Sequence, residues 1–215
     1  MAEAANEPVS RPGRRGAAVL GAARAAAVAA SVIAGAAAIQ AAAAPSWRIA
    51  QGDVRIAVPL RPGGAFEART ASLAGTLALA SAQPVVLSGE LTVELATIDT
   101  GIALRNQHLR ENYLEVSKRA GFDKAVLAEI RLGEASGEGF EGRSGFSGTL
   151  RLHGVSRSVT GSAEIRREAA GLRVAATFPL TLTDFGIEPP QYMGVGVANK
   201  LMVRVVFVAT REAAR

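Results

Sequence analysis

The sequence predicts an all-β fold: an extended eight-stranded antiparallel barrel with one short helix, preceded by an N-terminal signal or anchor helix. Three observations support this class. From Trp47 onward, apolar residues recur at every second position, which is the period of a β-strand. The 23 glycines, with abundant valine, leucine and threonine, favour short strands and turns over a helical bundle. Closure into a barrel buries the apolar face of every strand and leaves no sheet edge exposed.

Eight alternating runs and one helical segment give the order of the elements. The spacing of Leu104, His108 and Leu109 predicts a helix over residues 105–115. Residues 62–64 and the glycines at positions 133, 137 and 139 are predicted turns, and Gly75 is interpreted as a bulge or bend within its strand. The predicted strands cover residues 53–60, 66–79, 85–99, 125–132, 140–154, 156–167, 172–182 and 197–209.

Residues 1–44 are expected to lie outside the barrel. Arg11, Arg14 and Arg15 precede an alanine-rich stretch, in which 17 of the residues from 16 to 44 are alanine. A basic segment, an apolar segment and small residues at the end are the parts of a secretory signal peptide. A membrane anchor is the alternative, because residues 25–44 are long enough to span a bilayer. The chain therefore divides into residues 1–44, a barrel over residues 45–210, and a short tail over residues 211–215.

The composition excludes several classes of function. The chain has no cysteine, so it has no disulfide, thiolate nucleophile or cysteine metal site. Its two histidines, His108 and His153, give little material for a metal site. Residues 1–44 hold four arginines and two glutamates, so the remainder carries 20 basic and 17 acidic residues, too mild a balance for nucleic-acid binding. No G-x-S-x-G elbow or glycine-rich phosphate loop is present, so neither catalysis nor a cofactor is predicted.

The parity of the strands predicts the surface of the barrel interior. Several inward positions carry small residues, namely Ala128, Gly148, Gly161, Ala163 and Ala176, and small residues leave volume unfilled. We interpret this volume as a cavity for an elongated apolar ligand, although periodicity alone fits a packed core equally well. The predicted cavity lining consists of Leu91, Val93, Leu95, Ile130, Leu132, Phe146, Leu150, Leu152, Val174, Phe178, Leu180, Val203, Val205 and Phe207.

Three segments match motifs of a known family. Residues 105–114 read R-N-Q-H-L-R-E-N-Y-L, residues 148–157 read G-T-L-R-L-H-G-V-S-R, and residues 182–187 read L-T-D-F-G-I. They resemble the R-D-x-H-L-R helix, the G-x-L-x-x-H-G-V-T/S-R strand and the D-F-G-I turn of the YceI-like lipid-binding family. Residues 195–206 resemble the final strand of that family. The resemblance spans residues 47 to 210 in the expected order and spacing.

The resemblance implies an elongated, lipocalin-like barrel whose interior holds an isoprenoid, a quinone or another lipid tail. It also implies a periplasmic or secreted protein after signal cleavage, the alternative being an inner-membrane anchor that faces the periplasm. A dimer and transient contact with a membrane are compatible with it. Asn106 and Asn199 depart from the acidic residues usual at these positions. If a carboxylate at either position orients a ligand head group in the family, this chain lacks it.

Polar residues near the predicted helix are candidates for a ligand head group. Arg105, His108 and Arg110 would contact it at the cavity mouth; alternatively, the helix caps one barrel end and His108 bonds to backbone. His153 has the opposite parity to the inward residues of its strand, so we expect it to point outward and form a structural hydrogen bond. Asp184 is interpreted as a turn cap. The segment 192–194 either gates the cavity or packs as an ordinary loop.

These observations favour a non-catalytic binding or carrier protein that holds an isoprenoid-like lipid or quinone in an apolar barrel. Burial of apolar surface supplies the binding energy for such a ligand, and few polar contacts are needed to orient it. The alternative is a structural or protein-interaction module whose barrel is filled by its own side chains. An enzyme acting on a lipid is disfavoured, because the alternation places no polar cluster inside the barrel.

Overall fold

The computed structural model describes residues 44–133 and 140–212, and only the backbone of Tyr192. The expected signal or anchor in residues 1–43, the turn glycines at positions 137 and 139, and the chain beyond residue 212 lie outside the described residues. Within the described ranges, no helix has the length and apolar character needed to cross a membrane. The same ranges contain no group of three side chains suited to hold a metal ion.

Strands account for most of the described residues, and helical segments are short. A helix α1 (Ala103–His108) continues into a π-helical turn (Leu109–Tyr113), and 3₁₀ turns cover Leu95–Thr97 and Leu182–Phe185. The strands are β1 (Ser46–Arg61), β2 (Ala65–Ala82), β3 (Val85–Glu94), β4 (Lys124–Leu132), β5 (Gly142–Leu152), β6 (Val155–Glu168), β7 (Gly171–Thr181), β8 (Gln191–Tyr192), β9 (Val195–Val197) and β10 (Lys200–Arg211).

The eight long strands form one antiparallel sheet that closes on itself. From β1 to β7 each strand pairs with the next, β7 pairs with β10, and β10 pairs with β1. Ile56 lies opposite Val203 in the closing pair. The prediction of a closed eight-stranded antiparallel barrel with one short helix is confirmed. The short β8–β9 hairpin was not predicted, because residues 186–197 show no alternation; it joins the end of β1 through the pair Leu60 and Val197.

A bulge in β4 changes which residues face the interior. Glu129 has a positive φ of 53°, and the pairing with β5 shifts between Ala128 and Arg131. A bulge reverses the parity of a strand on its two sides. Ala125 and Leu127 therefore line the interior before the bulge, and Ile130 and Leu132 line it afterwards. The prediction that Ala128 faces inward was wrong.

Gly75 does not form the predicted bulge. It lies in regular register opposite Ile49 on one side and Leu91 on the other. A Cβ atom at this position would meet the carbonyl oxygen of Glu90 and would lie 3.0 Å from the Cα of Leu91. The extra residue belongs to β1, where the register shifts between Ile49 and Gly52. Glycine is required at position 75 by the close approach of the β3 backbone.

The segment between β3 and β4 lies at one end of the barrel. The predicted strand over residues 85–99 ends already at Glu94, and the predicted helix begins two residues early, at Ala103. Leu109 and Tyr113 pack against the core from the π-helical turn, and Leu114 is buried directly after it. We call this end the mouth and define it by residues 60–66, 98–113 and 187–197. The opposite end, the base, is formed by residues 47, 79, 85, 132, 140 and 172.

Candidate ligand-binding cavity

An apolar cavity of about 930 Å³ occupies the barrel interior, and its lining includes residues of both the mouth and the base. The side chains of the described residues therefore do not fill the barrel. A volume of this size lies at the upper end of the range typical of small-molecule sites. The structure brings all fourteen predicted lining residues to its wall: Leu91, Val93, Leu95, Ile130, Leu132, Phe146, Leu150, Leu152, Val174, Phe178, Leu180, Val203, Val205 and Phe207.

The cavity does not arise from small residues in the way the sequence predicted. Ala163 and Ala176 border it, but Gly148 and Gly161 do not. A Cβ atom on Gly161 would lie 2.7 Å from the ring of Phe146 and 2.7 Å from the Cβ of Phe178, so these aromatic residues already use the space. Phe146 and Phe178 meet edge to face, with ring centroids 6.0 Å apart. Gly161 makes room for an aromatic pair that forms part of the wall, whereas Gly148 makes room for the side chain of Leu127.

The wall also includes residues that the predicted lining omitted. One group comes from the inward face of β1 and β2, whose alternation was visible but was not carried into the site prediction. A second group comes from the mouth, where no strand period exists to reveal it. These additional residues include Val54, Ile56, Val58, Leu60, Phe66, Leu73, Leu77, Ile98, Ile102, Leu104, Ile187, Met193 and Val195.

Polar side chains on the cavity wall are concentrated toward the mouth. Arg105 and His108 of α1 line the cavity there, together with Gln191 of β8. Thr70, Thr100 and Tyr113 also contribute to the wall near the mouth. At the base, the one polar group among the described lining residues is the indole of Trp47. The wall thus has a long apolar part and one end that can form hydrogen bonds.

Two of the three residues predicted to contact a head group, Arg105 and His108, line the cavity at the mouth. The guanidinium carbon of Arg105 lies 4.2 Å from the centre of the Phe66 ring, a cation–π contact that fixes the charge above the cavity wall. His108 is exposed and lines the cavity. Its side chain makes no hydrogen bond to the described residues, so the alternative in which His108 bonds to backbone finds no support.

Arg110 is not part of the cavity wall. Its Nη2 atom donates a hydrogen bond to the carbonyl oxygen of Ile98 at 3.2 Å, and its Nε atom is buried without a hydrogen-bond partner. The helical turn points the side chain toward the backbone of the preceding loop rather than toward the interior. The prediction that Arg110 contacts a ligand head group with Arg105 and His108 therefore needs correction; Arg110 holds the loop that leads into α1.

A hydrogen-bond network around Asn106 fixes the same loop. Its Oδ1 accepts bonds from the backbone N–H and the hydroxyl of Thr100, at 2.8 and 2.7 Å, and its Nδ2 donates to Asp99 Oδ1 at 2.9 Å. Asp99 Oδ1 also accepts the backbone N–H of Gly101 at 2.9 Å. The Asn106 bond, then the Gly101 bond, and the nearby charges of Arg69 and Arg110 lower the pKa of Asp99. Asn106 is a structural residue of the mouth.

His153 lies outside the barrel, as its parity predicts. Its ring packs against Phe122 at a tilt of 43°, with centroids 4.2 Å apart. Nδ1 lies 3.3 Å from the carbonyl oxygen of Phe185, and Nε2 lies 3.6 Å from Glu115 Oε2. The hydrogen bond of Glu115 to Lys118, and secondarily the neighbouring His153, lower the pKa of Glu115. These contacts join the segment after the π-helical turn to the turn between β5 and β6. They have no part in the cavity.

The turn at residues 182–185 is capped by Asn199 rather than by Asp184. The backbone N–H of Thr183 donates to Asn199 Oδ1 at 3.0 Å, and Asn199 Nδ2 donates to the hydroxyl of Thr183 at 2.8 Å. Asp184 is exposed and makes no side-chain hydrogen bond to the described residues. The predicted cap role of Asp184 was wrong. An amide suits position 199, because it donates and accepts at once.

Comparison with known proteins supports the assignment of the barrel. The family model described as the YceI-like domain matches residues 47–209. No curated protein sequence matches the chain. The crystal structure of BcnA from Burkholderia cenocepacia is 15% identical, covers 74% of this chain and 96% of its own, and superposes with a TM-score of 0.58. A domain from Saccharophagus degradans described as polyisoprenoid-binding is 16% identical, covers 77% and 98% respectively, and gives a TM-score of 0.56. At these identities the structures show a shared fold.

Proposed function

This chain belongs to the YceI-like family, and from that membership we propose that it is a non-catalytic protein that binds one lipid tail inside its barrel. The observation that carries the proposal is the apolar cavity of about 930 Å³, whose lining has its polar side chains toward the mouth. The polyisoprenoid-binding description of the structural neighbour from Saccharophagus degradans supports the same ligand class. The ligand class we propose is an isoprenoid-like lipid or a quinone.

The distribution of polar groups orients the ligand. A hydrocarbon tail that extends toward the base contacts walls that are apolar apart from the indole N–H of Trp47, and each Å² of apolar surface it buries contributes about 25 cal/mol. The head group lies at the mouth, where Arg105, His108 and Gln191 offer hydrogen-bond donors and a positive charge. Arg105 is already stacked on Phe66, so little side-chain entropy is lost when it meets a head group.

We further propose that the protein works after export, in the periplasm or outside the cell. The support is the basic and alanine-rich character of residues 1–44, which fits a signal peptide, or alternatively an anchor that leaves the barrel on the periplasmic side. An exported lipid carrier moves an insoluble molecule across water without chemistry. N-terminal sequencing of the protein from its native host distinguishes a cleaved signal from a retained anchor.

Native mass spectrometry of protein purified from its native host tests the binding function. We expect a bound mass of several hundred daltons, as for a lipid with several isoprene units. Replacement of the inward-facing Ala176 by Trp fills the cavity and should abolish the bound mass. Ala175→Trp is the matched control, because Ala175 neighbours Ala176 on β7 but does not line the cavity. Protein without bound lipid would support the structural or protein-interaction module instead.

A further inference from the structure

The mouth exposes a set of large apolar side chains. Ile102 is 50% exposed, Leu104 is 61% exposed, Val195 is 48% exposed and Met193 is 85% exposed. All four also line the cavity. We call these four residues the rim. Soluble proteins commonly expose single apolar residues, but a group that surrounds the opening of an apolar cavity indicates an interaction surface.

Two separate elements bring the rim together at the mouth. Ile102 and Leu104 belong to the start of α1, and the contact of Arg105 with Phe66 places that helix against the start of β2. Met193 and Val195 belong to the β8–β9 hairpin, which pairs with the end of β1. The end of β1 and the start of β2 are joined by the turn at residues 62–64. The rim therefore belongs to one end of the barrel and is continuous with the cavity wall.

Charges of both signs flank the rim. Arg61 follows the lining residue Leu60, is exposed, and forms no ion pair within the described residues. Arg105 stands on the cavity wall and likewise has no carboxylate partner there. Three exposed carboxylates balance these cations: Glu111 on the π-helical turn, and Asp184 and Glu188 on the segment that leads into β8. The arrangement combines exposed apolar side chains at the opening with charges of both signs, so burial of apolar surface rather than net charge favours contact with a membrane interface.

We propose that the rim docks on the surface of a lipid bilayer, and that the cavity is loaded and emptied there. This proposal rests on the proposed function, because a tail that fits the cavity resides in a bilayer before it is bound. Insertion of the four rim side chains among the headgroups places the opening of the cavity against the acyl region. A second copy of the chain fits the rim less well, because a symmetric pair would cover the opening through which the tail has to pass.

The absence of cysteine allows the rim to be probed at single positions. Met193→Cys and, in a separate variant, Met202→Cys are labelled with an environment-sensitive fluorophore in the full chain. Met202 is the matched control: it is 44% exposed but does not line the cavity. Each labelled protein is titrated with vesicles of phosphatidylcholine alone and of phosphatidylcholine with phosphatidylglycerol. Residues 1–44 are common to both variants, so a difference between the labels reports on the barrel.

We expect the fluorescence emission of the label at position 193 to shift to shorter wavelength and to be quenched by brominated acyl chains. The emission of the label at position 202 should stay that of a label in water. Because the charges at the mouth balance, both effects should be similar with and without phosphatidylglycerol. Combining Leu104→Ser with Val195→Ser should weaken the vesicle response of the label at position 193 by about ten-fold, since apolar burial drives insertion. Circular dichroism checks that the exposed substitutions leave the barrel folded.

Equal responses at positions 193 and 202, or none at either, would overturn the docking proposal. So would a shift at position 193 that depends on protein concentration without vesicles, because it would assign the rim to a second copy. Lipid content by native mass spectrometry keeps the two proposals apart. Bound lipid without insertion of the rim would contradict the docking proposal alone. Insertion of the rim without bound lipid would contradict the proposed function and still support the rim as a docking surface.

Discussion

The mouth and the base of the cavity are built from different kinds of sequence. At the base, the wall consists of strand ends whose side chains are hydrocarbon apart from the indole of Trp47. At the mouth, a short helix, a π-helical turn and a small hairpin supply the wall and bring Arg105, His108 and Gln191 to it. In the proposed function, the sheet therefore sets how much of the tail is buried, and the mouth sets which head group is accepted. Either property can change while the other stays constant.

The largest expected difference between the two regions is in folding stability. Phe178 is buried and packs edge to face on Phe146, so Phe178→Ala should destabilise the barrel by about 3–5 kcal/mol. Leu104 is exposed at the mouth, and Leu104→Ala should change stability by less than about 0.5 kcal/mol. Urea unfolding of both variants measures the difference. Equal losses would mean that the mouth belongs to the folding core.

Two glycine substitutions extend this comparison, with smaller expected losses in the free energy of unfolding. A Cβ atom on Gly161 would collide with the carbonyl oxygen of Thr177 and with Phe146, so Gly161→Ala should cost about 1–3 kcal/mol. At the mouth, no heavy atom lies within 4 Å of a Cβ atom on Gly63, and Gly63→Ala should stay within about 0.5 kcal/mol of the native protein. Unfolding curves serve as the measurement, and a costly Gly63→Ala would show that the β1–β2 turn is more constrained than its open surroundings indicate.

The sequence predicted the apolar wall well, because alternation is a direct consequence of strand geometry. Leu150, Phe178 and Val203 could be assigned to the interior from parity alone, and the structure places all three on the cavity wall. Parity failed at Ala128, because one extra residue at Glu129 reverses it without any glycine or proline to signal a bulge. Small size also misled the prediction at Gly161, since the sequence does not show which neighbour fills the space.

The mouth was harder to predict, because no short period governs it. Arg105 and Arg110 lie five residues apart in one helical segment and have the same chemistry, yet only Arg105 reaches the cavity. The direction of each side chain depends on the π-helical turn after His108, which changes the angle between successive residues. The rim residue Met193 lies in a hairpin that depends on pairing with the end of β1, a long-range contact that local sequence does not reveal.

The difference between the two arginines gives the next prediction. Arg105→Ala removes a charge from the cavity wall and should speed the transfer of bound lipid to acceptor vesicles by about ten-fold, the equivalent of one charged hydrogen bond. Arg110→Ala removes the bond to the Ile98 carbonyl and should leave the transfer rate unchanged while it lowers thermal stability. Mass spectrometry of the vesicles over time measures transfer. Equal transfer rates for the two variants would assign the head group to other residues.

The smallest expected effect concerns the loop of the mouth and depends on pH. Asp99 has a lowered pKa in the folded protein, chiefly because Asn106 donates a hydrogen bond to it. A carboxyl with a lowered folded pKa stabilises the protein above its unfolded pKa, and this contribution is lost as the pH falls through the folded value. Asn106→Asp replaces the donor by a second carboxylate, so it should raise the pKa of Asp99 and lower the melting temperature near pH 7.

Acidification should reduce the loss of melting temperature in Asn106→Asp, because protonation removes the repulsion between the two carboxylates as the pH approaches about 4. Asn106→Ala is the control: it loses the bond to Asp99, and the Thr100 bonds as well, without adding a charge, so its loss of melting temperature should vary less with pH. Thermal unfolding of both variants at neutral and acidic pH measures the contrast. If the loss of melting temperature in Asn106→Asp is the same at every pH, the amide of Asn106 stabilises the loop through its shape alone. Packing, rather than the charge of Asp99, would then order the mouth.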